Sequence, residues 1–123
     1  MATEPNASRS AFAVPRRFVR YKLDVPIRVI VDRSDKTVVM EGRGMELNEG
    51  GLTVLAGLEL HIGSEIDIEF TPPYRSMPIR VRALVRDRSG YFYGVEFIPL
   101  TPDEIERVGS IRQILKAMGC PVQ

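Results

Sequence analysis

The sequence predicts an all-β domain, a closed six-stranded antiparallel barrel followed by one C-terminal α-helix, and three observations carry that prediction. Apolar and polar residues alternate in short runs between Leu23 and Phe97, the two-residue period of strands with one face in a core. Turn residues separate these runs at intervals too short for the crossover helices that a parallel sheet requires. Only after Thr101 does the apolar spacing change to three and four, as on one face of a helix.

The first strand is read over residues 23–31, where Leu23, Val25, Ile27, Val29 and Val31 alternate with Asp24, Pro26, Arg28 and Ile30. Pro26, which has no N–H to give a ladder, places this strand at a sheet edge. After the polar turn at 32–36, a second strand runs from Thr37 to about Leu47, with Gly42 and Gly44 marking a bulge or bend and Gly50-Gly51 ending it. The third covers residues 52–56 and the fourth 64–70, where Ile66, Ile68 and Phe70 alternate with Glu65, Asp67 and Glu69. Past Pro72-Pro73, Ile79, Val81, Ala83 and Val85 form the apolar face of the fifth strand. Ser89-Gly90 is a hairpin turn, and Tyr91, Tyr93, Val95 and Phe97 form the same face of the sixth.

The helix is predicted over 102–118. Thr101 and Glu104 have the spacing of a capping box, Pro102 suits the first turn, and Asp103 complements the positive end of the dipole. Ile105, Val108, Ile111, Leu115 and Met118 make one apolar stripe that should lie on the barrel until Gly119 and Pro121 end the helix. The division expected is a flexible leader over 1–15, a folded domain over 16–118 and a tail over 119–123.

With 44% hydrophobic and 27% charged residues, the 123-residue chain has the composition of one soluble globular domain. Seventeen Lys plus Arg against sixteen Asp plus Glu leave a net charge of +1, so an anion site has to be local rather than a property of the whole surface. Cys120 and His61 are each alone. No disulfide can close within the chain, the common zinc sets are excluded, and a Cys-His dyad would have to be this one pair. Neither a signal-peptide block nor an apolar run of ~20 residues occurs, so the expectation is a cytoplasmic protein without membrane insertion, metal or cofactor.

Two segments carry candidate chemistry. Pro15-Arg16-Arg17-Phe18-Val19-Arg20-Tyr21 holds three guanidiniums in five residues with aromatic neighbours and no acid. Guanidinium forks donate bidentately to phosphate or to a guanine edge, although a solvated basic linker has the same composition. Glu46-Leu47-Asn48-Glu49-Gly50-Gly51 sets two polar side chains on one face of an extended strand before a glycine turn that allows positive φ or close approach of a ligand; it also reads as a decorated β-turn. Arg80, Arg82, Arg86 and Arg88 suggest a basic stripe, but Glu65, Asp67 and Glu69 on the preceding strand are placed to neutralise it. No phosphate loop, nucleophile elbow or metal-ligand spacing appears, so no catalytic residue is predicted.

In this order, and ahead of this strand pattern, the two segments resemble those of the PilZ domain family, bacterial receptor modules for cyclic di-GMP, over roughly residues 15–118. Arg16 and Arg20 match the family's RxxxR motif, with Arg17 as the frequent extra arginine, and Tyr93-Gly94-Val95-Glu96-Phe97 looks like its closing strand. The second motif, (D/N)xSxxG, is matched by Gly51 alone, with Glu46 in place of Asp or Asn and Asn48 in place of Ser. The resemblance implies that Arg16, Arg17 and Arg20 clamp the dinucleotide's phosphates and guanine edges, while Glu46, Asn48 and Gly51 hydrogen-bond a guanine and let the ligand approach. It implies a signalling adaptor without enzymatic activity that passes its signal to a protein partner. Two other functions stay open: a degenerate domain that binds only protein, and a small-barrel nucleic-acid binder, which the near-zero net charge disfavours.

Overall fold

A computed structural model describes residues 19–122. In chain order these form β1 (Arg20–Arg33), β2 (Lys36–Leu47), β3 (Gly51–Ala56), β4 (Glu65–Phe70), β5 (Ile79–Ser89), β6 (Phe92–Phe97), α1 (Pro102–Met118) and β7 (Cys120–Val122). The strands are ordered β2-β3-β6-β5-β4-β1-β7, and pairing of β1 with β2 closes the first six into an antiparallel barrel. Strand alternation produces this closure. Leu23, Val25, Ile27, Val29 and Val31 of β1 are buried, as are Ile66, Ile68 and Phe70 of β4 and Ile79, Val81, Ala83 and Val85 of β5, and all face one interior. Tyr93 is wholly buried there because its hydroxyl has partners: it donates to Leu58 O at 3.0 Å and accepts from Leu60 N at 3.1 Å.

Four local expectations are corrected. β1 is not an edge strand: it pairs with β2 on one flank, and with β4 at Arg28, Val29 and Ile30 and β7 at Arg20, Tyr21 and Lys22 on the other. Pro26 falls in the interval 23–27 that neither β4 nor β7 covers, so an edge-like gap inside a paired strand accommodates it. The β5–β6 turn lies one residue later than expected, at Gly90-Tyr91, with Gly90 at φ 63° and Tyr91 exposed instead of on the apolar face. The expected tail over 119–123 contains β7.

The helix has the expected bounds and the expected cap. Thr101 Oγ1 accepts from Glu104 N, while Glu104 Oε1 accepts from Thr101 N, both at 3.1 Å. Its apolar stripe, the fourth correction, docks only in part. Ile111 and Leu115 are wholly buried and Val108 packs beside them, joined by Ile114, but Ile105 and Met118 at the two ends are 59% and 40% exposed. Only the middle turns of α1 therefore close the barrel interior. Gly119 ends the helix for a reason of space: its φ is an ordinary −98°, but a Cβ there would meet Leu23 Cδ2 at 2.7 Å and Lys22 O at 2.9 Å. Without a side chain the chain passes against β1 and turns into β7.

Candidate functional site

The start of β1 and the end of β2 lie side by side on one rim of the barrel, with Tyr21 opposite Leu47 and Lys22 opposite Glu46. Bulges interrupt both strands at this point, between Lys22 and Val25 on β1 and between Gly44 and Glu46 on β2. The second bears out the bend expected at Gly42 and Gly44. Leu47 turns into the core, so Glu46 faces outward with Lys22, and Arg20, two residues before Lys22, shares that face. Arg20 Nη1 stands 3.8 Å from Glu46 Oε2, the arginine side chain 55% and the glutamate 29% exposed. The outer neighbours of these residues are Val122 of β7, opposite Arg20, and Thr53 of β3, opposite Glu46.

The turn that follows is held by its own motif residues. Asn48 Oδ1 accepts from Gly51 N at 2.9 Å, and Asn48 N donates to Gly51 O at the same distance. This leaves the Asn48 amide nitrogen, with two N–H donors, outside the turn's own bonds. Gly51 needs to be glycine, but not for positive φ: a Cβ would land on the carbonyl oxygen of Val95 and come within 3.0 Å of Glu96 Cα. The close approach here is that of the β6 backbone. Arg20, Glu46, Asn48 and Gly51 thus meet on one rim, whereas Arg16 and Arg17 lie outside the described residues.

One neighbour was not legible in the sequence. Arg112 of α1 is half-buried, which holds its guanidinium below the ordinary arginine value, and the Glu49 carboxylate of the motif turn acts in the opposite direction. The two are far apart in sequence and on different elements, and Arg112 on its helix reads as an ordinary polar residue flanking the apolar stripe.

The fifth-strand arginines are neutralised, but only in part by the β4 acids expected to do so. Arg80 Nε lies 2.7 Å from Asp67, and Arg82 lies 3.9 Å from Glu65 but closer, 3.4 Å, to Glu104 of α1, while Glu69 turns to Arg28 of β1 at 3.7 Å. Arg86 and Arg88 meet Glu96 and Glu59, each at 3.3 Å. The rim therefore combines an exposed guanidinium, a carboxylate acceptor and an amide donor, a set suited to recognising a polar, anionic ligand with hydrogen-bonding edges.

No helix among the described residues is long and apolar enough to cross a membrane. A search of curated proteins finds no match to the chain. The model of the PilZ domain family, in contrast, matches residues 15–114, from the arginine segment through the barrel and most of α1. With the barrel, the arginine segment and the glycine turn all inside the matched span, the chain belongs to the PilZ domain family.

Proposed function

We propose that this protein is a cyclic di-GMP-binding signalling adaptor without catalytic activity, acting in the bacterial cytoplasm through a downstream protein partner. The observation that supports this most is the meeting of Arg20, Glu46 and the Asn48–Gly51 turn on one rim, at the point where the Arg16-Arg17 segment joins the barrel. In this reading, Arg16, Arg17 and Arg20 grip phosphates and guanine edges with charge-assisted, bidentate bonds. Glu46 accepts from the N–H groups of a guanine, Asn48 donates from its amide nitrogen, and Gly51 keeps the turn flush with β6. The Arg20–Glu46 pair is loose and partly exposed, so giving it up on binding opposes affinity by ~1 kcal/mol, about fivefold.

The same contacts favour a second reading, a degenerate domain that binds protein alone, because Arg20 and Asn48 already have partners within the fold. Isothermal titration of the full chain with cyclic di-GMP separates the two. The receptor reading expects saturable heat, and it expects Glu46→Asp with Asn48→Ser to tighten binding by shortening both side chains to the family's pattern. A folded wild type and a folded double variant that both give no heat would leave the degenerate module. Nucleic-acid binding ranks third, since each arginine of the fifth-strand stripe faces an acid.

A further inference from the structure

We infer that the edge of β2 left unpaired among the described residues pairs antiparallel with the same edge of a second copy of this chain, about a twofold axis through Val39. This does not rest on nucleotide binding. β3 pairs with β2 only between Gly42 and Leu47, so the hairpin arm formed by the end of β1 and the start of β2 extends past the barrel wall. Among the described residues, no backbone hydrogen bond reaches residues 36–41 from any element other than β1. That leaves a row of backbone donors and acceptors along Thr37-Val38-Val39-Met40-Glu41, three of them apolar and one, Val39, 53% exposed. An edge of this kind is a template for another strand.

The side chains specify which strand fits. In a flat twofold pair each residue keeps its face, so the axis has to pass through a residue and not between two. An axis through Val39 sets Val39 against Val39, Val38 against Met40, and Thr37 against Glu41. The rows already present on β1 then continue across the seam. On the outer face, Ile30, which is 7% exposed although it points away from the barrel interior, lies opposite Val39, extending the row to Ile30-Val39-Val39-Ile30. On the inner face, Val31 lies opposite Val38 and Val29 opposite Met40, giving two rows of Val31-Val38-Met40-Val29. The outer polar rows become Asp32-Thr37-Glu41-Arg28, each with its own Arg28–Glu41 ion pair at 3.2 Å.

The neighbouring registers fail. An axis through Val38 opposes charged Lys36 to Met40 within the strand, and one through Met40 opposes Val38 to Gly42, whose flank β3 already occupies, leaving only three residues to pair; the Val39 axis meets that flank only at Lys36–Gly42, beyond its five paired residues. The occupant that matches every row is therefore a second copy of β2. Glu46 lies seven residues from Val39, roughly 23 Å along the strand, so the rim site stays open in the pair.

Sedimentation velocity of the full chain over a concentration series tests this. The expected species at high concentration has twice the 13.8 kDa of the chain. Val39→Lys, which sets two like charges on the axis, should restore the monomer and melt as the wild type does at concentrations where the wild type is itself monomeric. In a Cys120→Ser background with a mild oxidant, Val39→Cys should form a disulfide-linked dimer, since directly opposed residues lie ~4.5–5.5 Å apart. Val38→Cys should not, because its own copy would be ~8 Å away, past the ~7 Å limit for a disulfide. The inference is overturned by a monomer at every concentration, by a dimer that Val39→Lys leaves intact, or by equal cross-linking at 38 and 39. It is also overturned by a monomer whose residues 36–41 are protected from amide exchange, which would give the edge to the chain's own N-terminal residues.

Discussion

Replacing Arg20 separates binding from folding more cleanly than any other change on the rim. Its side chain is 55% exposed and its ion pair with Glu46 is a loose 3.8 Å, so Arg20→Ala should change stability by no more than ~0.5 kcal/mol, a few degrees in melting temperature. The effect on cyclic di-GMP is expected to be far larger. Two charge-assisted bonds at ~1.5–3 kcal/mol each are lost, while the free protein no longer holds an Arg20–Glu46 pair that binding would break. Incomplete ligand desolvation at an exposed site reduces the net figure to roughly 2–3 kcal/mol, or about 30- to 150-fold in Kd. Arg20→Lys should fall between, since an ammonium keeps the charge but not the fork. Titration calorimetry beside thermal melts reads both quantities. Wild-type affinity in a folded Arg20→Ala variant would refute the clamp, and a large melting shift would refute the claim that Arg20 is structurally dispensable.

Three further outcomes follow from the packing. Gly51→Ala should destabilise by ~2–4 kcal/mol, measured by urea unfolding, because the new methyl displaces the β6 backbone at Val95; a neutral result would return Gly51 to a purely ligand-facing role. Ile111→Asp should abolish cooperative melting near ambient temperature, whereas Ile105→Asp should stay within ~0.5 kcal/mol of wild type, although both lie on one sequence stripe; equal effects would contradict the partial docking of α1. The Glu104 carboxyl is held below its ordinary value chiefly by the Leu100 N–H, with Thr101 N–H, Arg82 and Arg107 adding to it against partial desolvation. A folded-state value below the unfolded one means its contribution is full above about pH 4.3 and is lost as pH falls through the folded value. Glu104→Gln should therefore flatten the acid limb of stability against pH, and an unchanged limb would remove Glu104 from it.

How much was legible depended on how local the cause was. The alternation of β1, β4 and β5 and the Thr101-Glu104 box are short-range patterns, and the barrel, the helix bounds and the cap agree with them. The motif residues Arg20, Glu46, Asn48 and Gly51 could be named only because their segments resemble the two motifs of the PilZ family, and the pairing of β1 with β2 brings those segments to one rim.

What only the tertiary structure decided depends on residues distant in sequence. Pro26 is an edge signal in any single strand, and only the positions of β4 and β7 reveal a gap inside a paired one. Ile105 and Ile111 are equivalent on a helical wheel, and the extent of the barrel opening alone separates an exposed residue from a buried one. Gly51 and Gly119 read as turn and cap glycines, yet each is required by a backbone that arrives from elsewhere, β6 for one and β1 for the other. The sequence by itself determined the period of each element and its local caps, because hydrophobic alternation and capping act over two to four residues. Register, the reach of the helix across the barrel, the electrostatic effect of Glu49 on Arg112 and the edge of β2 that no other described residue pairs with were decided by the closed sheet, because closure sets which strand flanks are covered and which distant backbones come together.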